Sequence, residues 1–291
     1  MSRSLYLKLV LMAVCWSGVF PALAILLRTM DVFTAVFLRF WWAAVILMVA
    51  LRWREKRLPR LSPRESVLVV GLGLLGIAAY NALFTAGIAL VEASRAALIV
   101  PTNPAFTALF ATVFLKEPLG RARAAGVALS VAGALWVLCR GDPAAFASLE
   151  LGLGEFFLVL CIFMWSAYTL VGRVALATVP PFALTAYVMF VGSLPLAVPA
   201  WLEHESLASV SLASWAAMAY LVVFGTLIPF VWYYEGVKAL GAARAAQFVN
   251  LVPPLAVAES VLLLGEPFTP ALGVGTLLIV SGLYLTNRPK R

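Results

Sequence analysis

The sequence predicts an all-α integral membrane protein: ten transmembrane helices in two inverted five-helix repeats around a central cavity. Three observations carry that prediction. Of the 291 residues, 64% are apolar and only 12% charged, too few to cover a water-facing surface. The stretch Arg95 to Pro118, RAALIVPTNPAFTALFATVFLKEP, is written again at Arg244 to Pro267 as RAAQFVNLVPPLAVAESVLLLGEP, at an offset of 149 residues without a gap. The basic residues, finally, crowd into alternate loops.

The duplication extends beyond that stretch. At the same offset Trp16-Ser17 falls on Trp165-Ser166, Gly76 on Gly225, Gly87 on Gly236, Gly126 on Gly275 and Gly133 on Gly282. Repeated coincidence at one spacing implies a duplicated unit, with the first repeat at 1–149 and the second at 150–291. Five helices per unit make the second copy cross the membrane in the opposite sense. Inverted copies of this kind hold substrate near the bilayer midplane, where the copies meet.

Uncharged runs approach or exceed the roughly 18 to 20 residues a span needs. They predict helices at 8–27, 32–51, 66–90, 95–115, 121–139, 154–176, 181–201, 212–235, 243–264 and 270–287. Helices satisfy every backbone polar group inside hydrocarbon, which sets the class. With a cytoplasmic N-terminus, seventeen basic residues lie inside (Arg3, Lys8, Arg52, Arg54, Lys56, Arg57, Arg60, Arg64, Lys116, Arg121, Arg123, Arg173, Lys238, Arg244, Arg288, Lys290 and Arg291). Three (Arg28, Arg95 and Arg140) lie outside. That asymmetry predicts both termini in the cytoplasm, and the membrane expected is a bacterial-type inner membrane. The net charge of +8 then reads as topology and attraction to anionic lipid, with no nucleic-acid partner.

Taken in order, the first helix resembles a cleavable signal, with Arg3 and Lys8 before an apolar run and small residues at Pro21 to Ala24. Its Trp16-Ser17 has a mid-chain counterpart that cannot be a signal, so the segment is kept. The second helix carries Arg39, which either snorkels outward toward the interface or serves substrate or gating. Residues 52–64, RWREKRLPRLSPR, form the most basic loop and lie along the inner leaflet. The third helix contains Gly71-Leu-Gly-Leu-Leu-Gly76, which matches a dinucleotide fingerprint by letter. It lacks the preceding strand and the later acid that motif requires, and reads instead as close helix packing. Tyr80 and Phe84 share a face of this helix at mid-depth, with Asn81 beside them. They are candidates to line a cavity, against the alternative of plain packing.

Prolines early in the fourth and ninth helices (Pro101 and Pro104; Pro253 and Pro254) predict a kink or a half-helix. Asn103, Thr102 and Asn250 would then face a cavity. Glu117-Pro118 and Glu266-Pro267 suit the starts of the fifth and tenth helices, with the carboxylate near the positive dipole end. Gly126 and Gly133, like Gly275 and Gly282, form a smooth stripe for scaffold packing or a dimer face. The sixth helix places Trp165, Ser166, Tyr168 and Thr169 against Trp16, Ser17, Val19 and Phe20 of the first. The paired tryptophans would flank a pseudo-twofold axis. Glu235 at the end of the eighth helix and Glu259 in the ninth are candidates for proton coupling.

Several chemistries have no footing. There is no Gly-Lys dipeptide and hence no phosphate-binding loop. The lone histidine, His204, falls in an outer loop, and Asp31 and Asp142 are the only aspartates. A catalytic or metal-binding constellation cannot be assembled from these. Cys15, Cys139 and Cys161 sit in or at the ends of apolar runs as small hydrophobes. No enzyme activity, cofactor or metal is expected.

With its paired Leu-x-Glu-Pro and Leu-Gly-Glu-Pro exits, paired Trp-Ser and two inverted halves, the whole chain resembles the EamA group of the drug/metabolite transporter superfamily. Its aromatic lining is similar to that of the YddG-type exporters of aromatic and other amino acids. That resemblance implies a secondary transporter exporting amino acids from the cytoplasm by alternating access. Trp16, Tyr80, Asn81, Phe84, Asn103, Trp165 and Tyr168 would contact substrate. The alternative is a carrier of lipophilic cations or another metabolite. Against the cation reading, the first helix lacks the glutamate that small multidrug pumps use there. The expected partners are a small molecule and the lipid bilayer, the protein being a monomer or homodimer.

Overall fold

A computed structural model describes residues 3–56, 58–103, 106, 120–142, 152–204, 206–240, 245 and 248–286. Among them every regular element is helical. In chain order they are α1 (Arg3–Ser17 continued by Val19–Leu26), α2 (Val32–Glu55), α3 (Pro63–Leu90), α4 (Ala93–Ile99), α5 (Arg121–Leu138), α6 (Leu153–Ala175), α7 (Pro181–Leu202), α8 (Leu212–Leu240), α9 (Val252–Leu264) and α10 (Pro270–Thr286). Six of these (α1, α2, α3, α6, α7 and α8) are long and apolar enough to cross a membrane, and α5, α9 and α10 hold shorter apolar stretches. The expectation of ten spans is thus met in a coarser form, an all-helical membrane chain with six full-length spans among the described residues.

The ends of the elements follow local chemistry. α2 runs on through Arg52 and Arg54 to Glu55, past the apolar run, and stops where Lys56 turns left-handed at φ 56°. α3 opens earlier than the hydropathy predicts, because Ser62 and Glu65 form a reciprocal cap around Pro63. The basic loop is correspondingly shorter than 52–64 and is tied down by the Tyr187 hydroxyl, which donates to the Pro59 carbonyl at 2.6 Å.

Two long helices widen by one residue per turn, α3 at Gly73–Ala79 and α8 at Val223–Leu227. Shifted by 149, the first segment falls on residues 222–228, so the two are equivalent. A wide turn frees a carbonyl from its helical partner. In α3 the Gly76 oxygen accepts from Asn81 Nδ2 at 3.0 Å. In α8 the equivalent Gly225 oxygen accepts from Arg39 Nη2 at 3.1 Å. The duplicated backbone thus keeps the same defect in both copies and satisfies it with different side chains.

Glycines set the closest approaches. A Cβ on Gly73 would come 2.9 Å from the Gly192 nitrogen, and one on Gly76 2.0 Å from the Tyr168 ring. Gly73 and Gly76 therefore pack helices, as read, whereas a Cβ on Gly71 would meet nothing within 4 Å. A Cβ on Gly275 would meet Val137 at 2.2 Å, and one on Gly282 would meet Ser130 at 2.4 Å. The stripes of α5 and α10 face each other within the chain, so they are scaffold, and the dimer-face alternative for them is overturned. The Ser130 hydroxyl reaches the Ile279 carbonyl at 3.5 Å, and residues 130 and 279 are themselves 149 apart, so equivalent positions of the two copies touch.

Glu266 corrects one expectation. α10 begins at Pro270, and residues 265–269 are not helical. The Glu266 carboxylate instead accepts the Ala93 and Ser94 amides, both at 2.9 Å, capping α4 of the other repeat. A carboxylate serves whichever helix N-terminus reaches it, and tertiary contact brings α4. Glu117-Pro118, Pro104 and Arg244 lie outside the described residues.

Candidate functional site

A cavity lies where the two repeats meet, with about 570 Å³ of atom-free space counted together with the solvent at its mouth. Four equivalent pairs line it: Trp16 and Trp165, Asn81 and Phe230, Val100 and Val249, Asn103 and Val252. The members of each pair differ by 149, so both copies contribute equivalent positions to the lining. Arg39, Tyr80 and Phe84 complete much of the rest, with Val19, Phe20 from α1.

The rings interlock. Trp16 and Trp165 stand edge to face at 6.0 Å and 85°. Tyr80 lies 5.4 Å from Trp165 and stacks on Phe84 at 5.8 Å and 12°. Phe20 meets Phe84 edge-on at 5.5 Å. These are favourable aromatic geometries, and the rings hold one another in place.

Six predicted residues, Trp16, Tyr80, Asn81, Phe84, Asn103 and Trp165, are brought together on this lining. Tyr168 is not. It is only 1% exposed, its ring fills the space above Gly76, and its hydroxyl accepts from Tyr234. Tyr168 backs Trp165 from 5.5 Å away and forms no part of the lining. Val100, Val249, Phe230 and Val252 were not among the candidates, although applying the offset to Asn81 and Asn103 would have found Phe230 and Val252.

For Arg39 two readings stood open, snorkelling outward or a substrate or gating role. It is 4% exposed and lines the cavity, so the snorkelling alternative is overturned. Its Nε donates to Thr226 Oγ1 at 2.8 Å and its Nη2 to Gly225, while its guanidinium carbon sits 4.9 Å over the Phe40 ring. Nη1 makes no hydrogen bond, and no carboxylate pairs with Arg39 among the described residues. Placing an arginine at mid-span costs roughly 2.5 to 3.5 kcal/mol on insertion scales, offset here by the two bonds to α8. Asn103, 6% exposed, likewise keeps its Oδ1 without a partner.

The proline breaks adjoin the lining. α4 tightens into a 3₁₀ turn at Val100–Thr102, where the Thr102 hydroxyl donates to the Ile99 carbonyl at 2.7 Å. α9 starts afresh at Val252, just before Pro253, after a turn at Asn250 and Leu251. Neither coupling candidate lines the cavity. Glu235 pairs with Lys8 at 2.8 Å, with both side chains about 40% exposed. Glu259 accepts from Ser17 at 2.9 Å through Oε1, and its buried Oε2 has no partner. Arg95 bonds Glu155 at 3.0 Å, tying the start of α4 to that of α6.

Residues 3–139 and 152–288 each match the sequence profile of the EamA-like transporter family. A probable terminal-alkyne amino-acid exporter from Streptantibioticus cattleyicolor is 30% identical over 96% of this chain and 92% of its own length. The uncharacterized transporter YyaM of Bacillus subtilis is 26% identical over 86% and 82%. An uncharacterized transporter of Archaeoglobus fulgidus is 26% identical over 99% and 98%. A solved crystal structure shares the fold at a TM-score of 0.70 and 22% identity, covering 98% of both chains.

Proposed function

The chain belongs to the EamA-like transporter family, whose members and relatives are transporters rather than enzymes, and on that premise we propose that it exports amino acids, aromatic and other hydrophobic ones, from the cytoplasm. The observation that carries this reading is the ring-lined cavity where the repeats meet, with Trp16 and Trp165 6.0 Å apart. A hydrophobic side chain stacks on those rings, and the polar end of the molecule meets Arg39, Asn81 and Asn103. The similarity to an amino-acid exporter supports the same substrate class.

The two halves act as five-helix units of opposite sense, ten spans in all, in an inner membrane with both termini cytoplasmic. They rock against each other and expose the cavity to each side in turn. The wide turns of α3 and α8 give each half a point where the helix can bend. Glu259 is the better-supported coupling group. Its carboxylate joins α9 to Ser17 of α1, directly beside Trp16, whereas Glu235 is committed to Lys8. The alternative substrate, a lipophilic cation, is favoured by the rings and opposed by the charge of Arg39.

The test is flux of labelled amino acids into proteoliposomes by the parent protein, Trp165→Ala and Tyr80→Ala. The expected result is flux of phenylalanine in the parent and a loss of at least about tenfold in each variant, the scale of 1.4 kcal/mol. Unchanged flux in both variants would remove the cavity from the reading. Flux of a lipophilic cation with no flux of any amino acid would turn the assignment to the alternative.

A further inference from the structure

The cavity is symmetric in backbone and one-sided in chemistry. Asn81 and Asn103 belong to the first repeat, and their equivalents in the second are Phe230 and Val252. Arg39 also belongs to the first repeat, and 149 residues on stands Val188. Every hydrogen-bonding side chain on the lining therefore comes from one copy, save the indole of Trp165.

Two of those side chains carry an unmet demand of opposite sign. Arg39 is 4% exposed, with Nε and Nη2 held by Thr226 and Gly225 and Nη1 without a partner. Its guanidinium is thus fixed in direction by α8, with a donor left over and no carboxylate among the described residues to neutralise it. Asn103 is 6% exposed, and its Oδ1 accepts nothing. Buried polar groups left this way call for a partner, and an arginine with an unpartnered donor matches a carboxylate.

We propose that Arg39 Nη1 binds the α-carboxylate of the transported amino acid and Asn103 Oδ1 accepts from its α-ammonium. The charged end of the substrate then lies against the first repeat, and its side chain lies toward Trp165, Phe230 and Val252 of the second. This rests on the amino-acid reading above and goes beyond it, because it makes a free α-carboxylate a requirement for binding and sets the orientation of the molecule between the halves. It also ties recognition to motion. Arg39 grips the wide turn of α8, so a ligand on Nη1 is joined through one guanidinium to a bending point of the second repeat.

The experiment compares four compounds on purified protein by the ligand-induced shift in unfolding midpoint: L-phenylalanine, 3-phenylpropionate, L-phenylalaninamide and 2-phenylethylamine. In the parent, the two compounds without a carboxylate are expected to bind at least about tenfold more weakly than L-phenylalanine, the loss of one charge-assisted contact. In Arg39→Gln the carboxylates should weaken by about the same factor, with 2-phenylethylamine unchanged. In Asn103→Leu, phenylalanine should fall to the level of 3-phenylpropionate. Equal binding of all four by the parent would overturn the proposal without any variant having to fold. So would a parallel loss of all four in Arg39→Gln, which is what a merely structural arginine would give. Phenylalanine flux that persists while this series fails removes the orientation and leaves the exporter, whereas absence of any amino-acid flux removes the exporter itself.

Discussion

A Cβ built on Gly76 would sit 2.0 Å from Tyr168, whereas one on Gly71, in the same run of glycines, meets nothing within 4 Å. Gly76→Ala must therefore displace a fully buried ring whose hydroxyl is bound to Tyr234, at a cost of about 1 to 3 kcal/mol for overpacking. Gly71→Ala lacks that clash. Thermal unfolding of the two variants checks this, with the midpoint falling for Gly76→Ala and near the parent for Gly71→Ala. Glu259 gives a second prediction at this scale. Glu259→Gln keeps the shape and the acceptor for Ser17 but cannot release a proton, so export should lose its dependence on a pH gradient, while Glu235→Gln should keep it. Both are read by flux with and without an imposed gradient. At this scale the duplication made Trp165 legible from Trp16, because it repeats the same side chain at the equivalent position of each copy. It could not make Arg39 legible, since its equivalent is Val188 and nothing along α2 says which face meets α8.

Helix ends illustrate what an element owes to its neighbours. Glu266 was readable as a capping carboxylate from its place before a proline, but the helix it caps is α4, whose Ala93 lies 173 residues before it in sequence. Glu266→Ala should cost about 0.5 to 2 kcal/mol, the usual loss of a cap, and thermal unfolding read against Glu266→Gln, which keeps an acceptor, separates the hydrogen bonds from the charge. A loss confined to the alanine variant would assign the effect to the bonds. The wide turns of α3 and α8 were not legible either. A gain of one residue per turn leaves hydropathy and composition unaltered, and it persists because Asn81 and Arg39 take up the freed carbonyls.

Across the molecule, the orientation inferred from loop charge makes a direct prediction. In intact cells a membrane-impermeant thiol reagent should label Ser206→Cys, and should label Arg60→Cys only after permeabilisation. Both sites are exposed, and of the native cysteines Cys139 and Cys161 are buried. The reverse pattern would invert the topology and with it the direction of export. Composition, run length and the offset of 149 determined on their own that this is a helical membrane chain built from two copies of one unit, because each depends only on what hydrocarbon tolerates and on what duplication preserves. Tertiary structure alone decided that the glycine stripes close on each other, that Glu266 serves the opposite repeat, that Tyr168 stands behind the cavity wall and that Arg39 stands in it. Those outcomes turn on which helix faces which, and a pattern read along one helix carries its period but not the identity of the neighbour it meets.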